Sequence, residues 1–294
     1  MKLNGLTQSP HFKKVIIVGF FSLSLLAWLI YLIYNHYFLT TDNAYIGANI
    51  VQIAPRVTGQ VSELAIKNNQ HVEQGQLLFK IDEEPFRLAL NAALADVEIA
   101  TAQLEHAKQT QGRTLALASK KFSSQQEADN AVASYRTAQA NLLRANAALD
   151  QAKLNLRYTH VTAPISGWVT NVSLRQGDAA AAYQPVFALI SDESFWADTN
   201  FKETELEKIR PGQLAEIVVD MYPKHKFKGV VESISGGAGA AFSLLPPQNA
   251  TGNWVKVTQR VPVRINVLNP DPNFPLRVGT SATVTVSLQR YAKK

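Results

Sequence analysis

Residues 84–158 constrain this chain more than any other stretch. They are alanine-rich and carry apolar positions at alternating steps of three and four. In the second half of the stretch the series is Ala128, Ala131, Tyr135, Ala138, Leu142, Ala145, Leu149, Ala152 and Leu156, the seam of a coiled coil. The first half answers with Phe86, Leu90, Ala93, Val97, Ala100, Leu104 and Ala107. Large and small residues alternate in both seams, so two helices can approach closely while Leu and Val fill the space opposite Ala. Either seam alone would leave an apolar stripe in water. The stretch is therefore expected to fold back on itself as one long helical hairpin. Gly112 marks a point where the first arm can end early, because an interior glycine costs about 1 kcal/mol.

The 294 residues leave room for two or three modest domains around that hairpin, and 18% charged with 46% hydrophobic residues is ordinary for a folded chain. There is no cysteine, so disulfides, thiolate metal sites and cysteine nucleophiles are excluded together. The net charge of +6 is spread over helix surfaces and the two ends, with no block of interleaved basic and aromatic residues, so no nucleic-acid partner is expected. The six histidines never fall at metal-ligand spacing, and neither HExxH nor Gly-x-Ser-x-Gly occurs. No enzyme, metal or cofactor is expected.

Near the start, Val15 to Tyr34 contains no charge and is long enough, at about 1.5 Å per residue, to cross a hydrocarbon core of roughly 30 Å. A secretory signal would have a shorter apolar region, and Asn35-His36-Tyr37-Phe38 offers no small-residue cleavage site. Lys2, Lys13 and Lys14 precede the span and Asp42 is the first charge after it. The positive-inside rule then leaves the N-terminus cytoplasmic, with Trp28, Tyr31, Tyr34 and Tyr37 at the far interface. Everything beyond residue 40 is expected on the outer side of an inner membrane.

Two versions of one pattern flank the hairpin: VQIAPRVTGQVSELAIKNNQHVEQGQLLFKID at 51–82 and VTAPISGWVTNVSLRQGDAAAAYQPVFALIS at 161–191. Each has Ala-Pro, then a glycine (Gly59, Gly167), an alternating strand, a polar turn and a closing apolar strand. The two halves are expected to pack into a small β-sandwich, with the hairpin inserted between them. This arrangement resembles the barrel-sandwich hybrid of biotinyl and lipoyl domains. With an inserted hairpin and an anchor in front, the chain is similar to the periplasmic adaptors, or membrane fusion proteins, of the HlyD family. In a true carrier domain the halves meet at a turn bearing a modifiable lysine. Here the junction is Asp82-Glu83-Glu84-Pro85, which opens a helix with Asp82 as expected N-cap, so no attached cofactor is expected.

From Phe195 the sequence turns to half a dozen short strands with one short polar helical piece, KETELEKI, which suggests a small closed β-barrel. The expected fold class is thus mainly β with a long α-helical coiled-coil hairpin, combining a lipoyl-like hybrid, a small barrel and an N-terminal transmembrane helix. The expected divisions are a cytoplasmic tail (1–14), an anchor (15–37), the first lipoyl-like half (38–83), the hairpin (84–158), the second half (159–192), the barrel (193–290) and a tail (291–294). With the last strand so near the end, no further membrane-proximal domain is expected.

Two segments, TTDNAYIGANIVQIAPRVTGQV at 40–61 and GGAGAAFSLLPPQNATGNWVKVTQRVP at 236–262, resemble those of adaptors serving major facilitator multidrug exporters, the EmrA type. That resemblance implies an inner-membrane major facilitator exporter and a TolC-like outer-membrane channel as partners, and assembly as a ring or other homo-oligomer. Adaptors of ABC-driven type I secretion, enzyme carrier domains and structural membrane tethers are the alternatives. At the hairpin turn, Arg113, Leu117 and Ser124 match the family's tip motif Arg-x3-Leu-x6-Ser, which implies contact with the channel. Ser124-Gln125-Gln126-Glu127 also reads as a capping box opening the second arm. Leu117 alternatively closes the seam, and Arg113 is alternatively a solvated charge. Phe242, Leu244 and Leu245 mark contact with the exporter or a neighbouring subunit, or pack on their own barrel.

Overall fold

The computed structural model describes residues 19–26, 28–29, 37–239 and 256–291. Of the expected span Val15–Tyr34, residues 19–26 and 28–29 are described and helical; the rest of that span lies outside the described residues. Among the described residues, no helix is long and apolar enough to cross a membrane. The chain divides into two compact units, residues 1–49 with 192–294, and residues 50–191.

In the first unit, six strands close into a barrel. In order around it they are β1 (Phe38–Ile53), β12 (Ser281–Tyr291), β9 (Gln213–Val219), β10 (Phe227–Ile234), β11 (Arg260–Leu268) and β8 (Phe187–Lys202), with β8 pairing back to β1. Alternation drives this closure: in β9 residues 213, 215, 217 and 219 are buried, and Ile217, Val219, Val263, Ile265, Val284 and Val286 share the interior. Gln213 is also buried, and its amide is fully used. Its Nε2 donates to the carbonyls of Lys208 and Leu288, while its Oε1 accepts from Arg210 N. The predicted helix at KETELEKI is a six-residue 3-10 turn, Glu203–Lys208. Residues 38–45, read from the sequence with the lipoyl-like half, pair with β12 in the barrel.

The second unit holds the repeated halves and the hairpin. Within the first half, β2 (Gly59–Leu64) pairs with β4 (Leu77–Ile81), which also pairs with β5 (His160–Thr162); within the second, β6 (Gly167–Thr170) pairs with the start of β8. Between the halves the exchange is reciprocal: β2 pairs with β7 (Ala179–Ala180), and β6 pairs with β3 (His71–Val72). The backbone bonds repeat as well. Val61 N donates to Asp178 O as Val169 N donates to Gln70 O, and Gly177 N reaches Val61 O as Asn69 N reaches Val169 O. Both polar turns use a left-handed residue at the matching place, Asn69 at φ 61° and Gly177 at φ 92°. Each half contributes corresponding side chains to one core, Val61 with Val169 and Ile66 with Leu174. Phe79 meets Phe187 edge to face at 5.9 Å. Neither half could bury its apolar face alone.

The hairpin leaves this core as α1 (Glu84–Ser119, 36 residues) and returns as α2 (Gln125–Tyr158, 34 residues). Every seam position read from the sequence is buried or half-buried. The N-cap of α1 is Glu83 rather than Asp82, although the Asp82 carboxylate still accepts the Glu84 N–H at 3.2 Å. Glu83 is free for another task. It sits 3.2 Å from both Arg87 and His160, tying the first turn of α1 to the second residue after α2. Arg56 adds a second tie, lying 4.9 Å over the Tyr158 ring.

Candidate functional site: the tip of the hairpin

Toward its far end the seam of α1 becomes polar, continuing through Gln111, Thr114 and Ala118, all half-buried. The helix does not stop at Gly112: a Cβ there would meet nothing within 4 Å. Gly112→Ala is therefore expected to stabilise the hairpin by about 0.5–1 kcal/mol, the difference between alanine and glycine at an open helical position. Thermal unfolding followed by the helical circular dichroism signal checks this.

The first arm ends in a Schellman motif. Phe122 N donates to Leu117 O at 2.9 Å and Lys121 N to Ala118 O at 3.0 Å, with Lys121 at φ 62° where glycine is usual. The second arm begins at once with the capping box expected from the sequence. The Ser124 hydroxyl accepts from Glu127 N at 3.2 Å, and the Glu127 carboxylate accepts from Ser124 N at 3.0 Å and from the Ser123 hydroxyl. The turn is thus pinned from both sides.

These bonds also set the charge of the turn. The Ser123 hydroxyl first, then the Ser124 N–H and hydroxyl, hold the Glu127 carboxyl below the usual carboxylate range. Because the folded pKa is depressed, the stabilisation is present above the ordinary glutamate pKa. It is lost as pH falls through the lower folded value. An NMR titration of the Glu127 side chain is expected to give a midpoint below that of a glutamate in an unstructured peptide, and Ser123→Ala is expected to move it upward.

The motif residues are placed as follows. Arg113 is exposed on α1 and makes no hydrogen bond or ion pair among the described residues. Leu117 is 48% exposed, so it lies off the packed seam rather than closing it. Ser124 is exposed while its hydroxyl serves the cap. Arg113 and Leu117, four residues apart on one helix, face the same way. Between the arms, just inside the turn, lies a shallow groove of about 400 Å³ lined by Thr110, Thr114, Leu117, Ser123, Glu127 and Asn130. Phe122 was not singled out by the sequence reading, yet it is 79% exposed at the apex. The available signal was a lone aromatic inside a polar turn, SKKFSSQQ. Phe242, Leu244 and Leu245 lie outside the described residues.

The site has contact chemistry only: cations, one apolar pair and a polar groove. Among the described residues, no group of three or more His, Asp or Glu could hold a metal.

Comparison with known proteins places this architecture. The family described as RND MFP, barrel-sandwich hybrid domain, matches residues 49–191, and the AAEA-like beta-barrel domain matches residues 194–287. The chain is 35% identical over 300 residues to the Multidrug export protein EmrA of Haemophilus influenzae, spanning 85% of this chain and 77% of that one. It is 36% identical over 296 residues to the Fatty acid resistance protein FarA of Neisseria gonorrhoeae, spanning 84% and 75%. The crystal structure of MacA from Actinobacillus actinomycetemcomitans superposes with a TM-score of 0.67 at 20% identity, over 85% of this chain and 79% of that one; at that identity the likeness speaks for the fold alone. With the hybrid, the barrel and the hairpin all present, and with identity of this extent to EmrA, the chain belongs to the EmrA-like membrane fusion proteins of the RND/HlyD family, a family of adaptors and not of enzymes.

Proposed function

We propose that this protein is the periplasmic adaptor of a tripartite multidrug export pump, joining an inner-membrane major facilitator exporter to a TolC-like outer-membrane channel. The observation that carries the reading is the hairpin. Two arms of 36 and 34 residues, about 50 Å long at 1.5 Å per residue, end in a pinned, exposed and cationic turn, on a chain 35% identical to a multidrug export protein. Catalysis needs no such rod, whereas carrying a contact surface away from a membrane does.

On this reading residues 15–37 anchor the chain with its N-terminus in the cytoplasm and its bulk in the periplasm. Phe20, Phe21, Leu23, Leu26, Trp28 and Leu29 are 49–72% exposed, which suits a lipid surround. The paired halves pack between subunits of a homo-oligomeric collar. Phe242, Leu244 and Leu245 contact the exporter or the next subunit. At the tip, Arg113 donates to carbonyl or carboxylate oxygens of the channel, Leu117 fills an apolar groove there, and Ser124 sits against the turn backbone. The mechanism is mechanical: binding energy at the tip holds the channel in register with the exporter, and no bond is made or broken.

The test is deletion of the gene and complementation with the full chain, scored as tolerance to a panel of structurally unrelated toxic compounds. Lower tolerance in the deletion strain, restored by the full chain, is expected. Unchanged tolerance to every compound would favour a structural tether without a transport role.

A further inference from the structure

We propose that Phe122 is the apolar anchor of the tip, and that it seats in an apolar pocket rimmed by acidic residues on the helical end of the outer-membrane channel. This rests on the docking reading above and adds to it both a residue and the chemistry of the partner surface.

The first observation is where the turn places the side chain. In a Schellman turn the residue at the place of Phe122 commonly packs back on the residue at the place of Leu117. Here Phe122 remains 79% exposed and Leu117 48% exposed, although Phe122 N is bonded to Leu117 O. The turn holds Phe122 outward with bonds from both arms. It does so despite a left-handed lysine at 121, a conformation in which any side chain is strained. An exposed aromatic on a backbone already fixed by these bonds suits an interface anchor, because the turn itself has little ordering entropy left to lose on binding.

The second observation is charge. Lys120 and Lys121 immediately precede Phe122, and Arg113 lies on the last turns of the same arm. The carboxylate nearest in the turn, Glu127, stays ionised but accepts from Ser123 and Ser124, and the three cations outnumber it. The apex is therefore cationic around an apolar centre, and its complement is an acidic rim around an apolar pocket. A protein surface fits better than a lipid surface: the groove just inside the turn is lined mainly by polar side chains, Thr110, Thr114, Ser123, Glu127 and Asn130, with Leu117 among them, a lining that offers hydrogen bonds to a helix end and that acyl chains cannot use.

The test uses full-length protein in cells with p-benzoylphenylalanine in place of Ala116, an exposed residue near the tip. It is compared in the Phe122, Phe122→Ser and Phe122→Trp backgrounds. Phe122 packs on so little that Phe122→Ser leaves the hairpin folded, which helical circular dichroism checks. The expected result is a photo-adduct with the outer-membrane channel that falls about tenfold or more in Phe122→Ser, as loss of an anchor of 1.4 kcal/mol or more requires, and persists in Phe122→Trp. Equal adduct yields in all three backgrounds would overturn the anchor while leaving docking intact. Absence of a channel adduct in every background would overturn both. An adduct with lipid would overturn the proposal in favour of membrane contact.

Discussion

Gly167→Ala is expected to destabilise the hybrid unit by about 3–5 kcal/mol, enough to remove much of the 5–15 kcal/mol typical of a folded domain. A Cβ at Gly167 would stand 2.1 Å from the carbonyl oxygen of Ile190 and 3.2 Å from the Cα of Ser191. Both atoms belong to backbone, in the strand that pairs with β6. No rotamer change relieves the clash, so β6 and β8 must separate, at about 1–3 kcal/mol for overpacking and a similar amount for a backbone at φ 157°. The corresponding glycine in the other half is the control. At Gly59 the added Cβ would meet only Cγ2 of Ile81, a side-chain methyl that can turn away, so Gly59→Ala is expected to cost about 1–2 kcal/mol. Urea unfolding of the two full-length variants, followed by tryptophan fluorescence, measures the difference. Equal costs would mean that the backbone approach at Gly167 is not what selects glycine there.

The second large effect is functional. Arg113→Asp combined with Leu117→Ser is expected to abolish export while leaving the protein folded and in the membrane. Both side chains are exposed and neither supports the seam, so the cost to stability stays within about 0.5 kcal/mol, the usual range for surface substitutions. The charge reversal places a carboxylate where the partner is proposed to be acidic, and like charges brought together at an interface cost several kcal/mol. Drug tolerance reduced to the level of the deletion strain, with normal amounts of protein in the inner-membrane fraction, is the expected result. Unchanged tolerance would remove Arg113 and Leu117 from the docking surface.

The parts of this fold that were legible in the sequence are those set by short-range periodicity. Ala128, Ala131, Tyr135 and their successors declared the hairpin because a three-four step has one physical use, and the repeated Ala-Pro, glycine and polar-turn pattern declared two matching halves. What stayed hidden was set by long-range partners. Nothing local in GWVT at 167–170 says that it pairs with His71–Val72 of the other half, because strand exchange depends on residues about a hundred positions away. The same holds for residues 38–45, whose alternation is satisfied equally by a sandwich or by the barrel that takes them. Gly112 leaves room in the sequence for an early end to the first arm, but Gln111, Thr114 and Ala118 keep packing and carry the helix a further two turns. At the tip, the capping box was legible from Ser124 and Glu127 alone. The Schellman turn before it was not, since its left-handed position carries Lys121 instead of glycine, and with it Phe122 was overlooked.

The most direct measurement of the central claim is crosslinking of the full-length protein in intact cells, followed by mild-detergent purification and mass-spectrometric identification of what is joined to it. The account predicts two partners in one complex, a major facilitator exporter and a TolC-like outer-membrane channel, with the channel crosslinks mapping to the tip around Leu117 to Ser124. An ABC transporter in place of the exporter would contradict the multidrug reading and move the protein to a secretion system. Recovery of neither an exporter nor a channel would contradict the bridge itself.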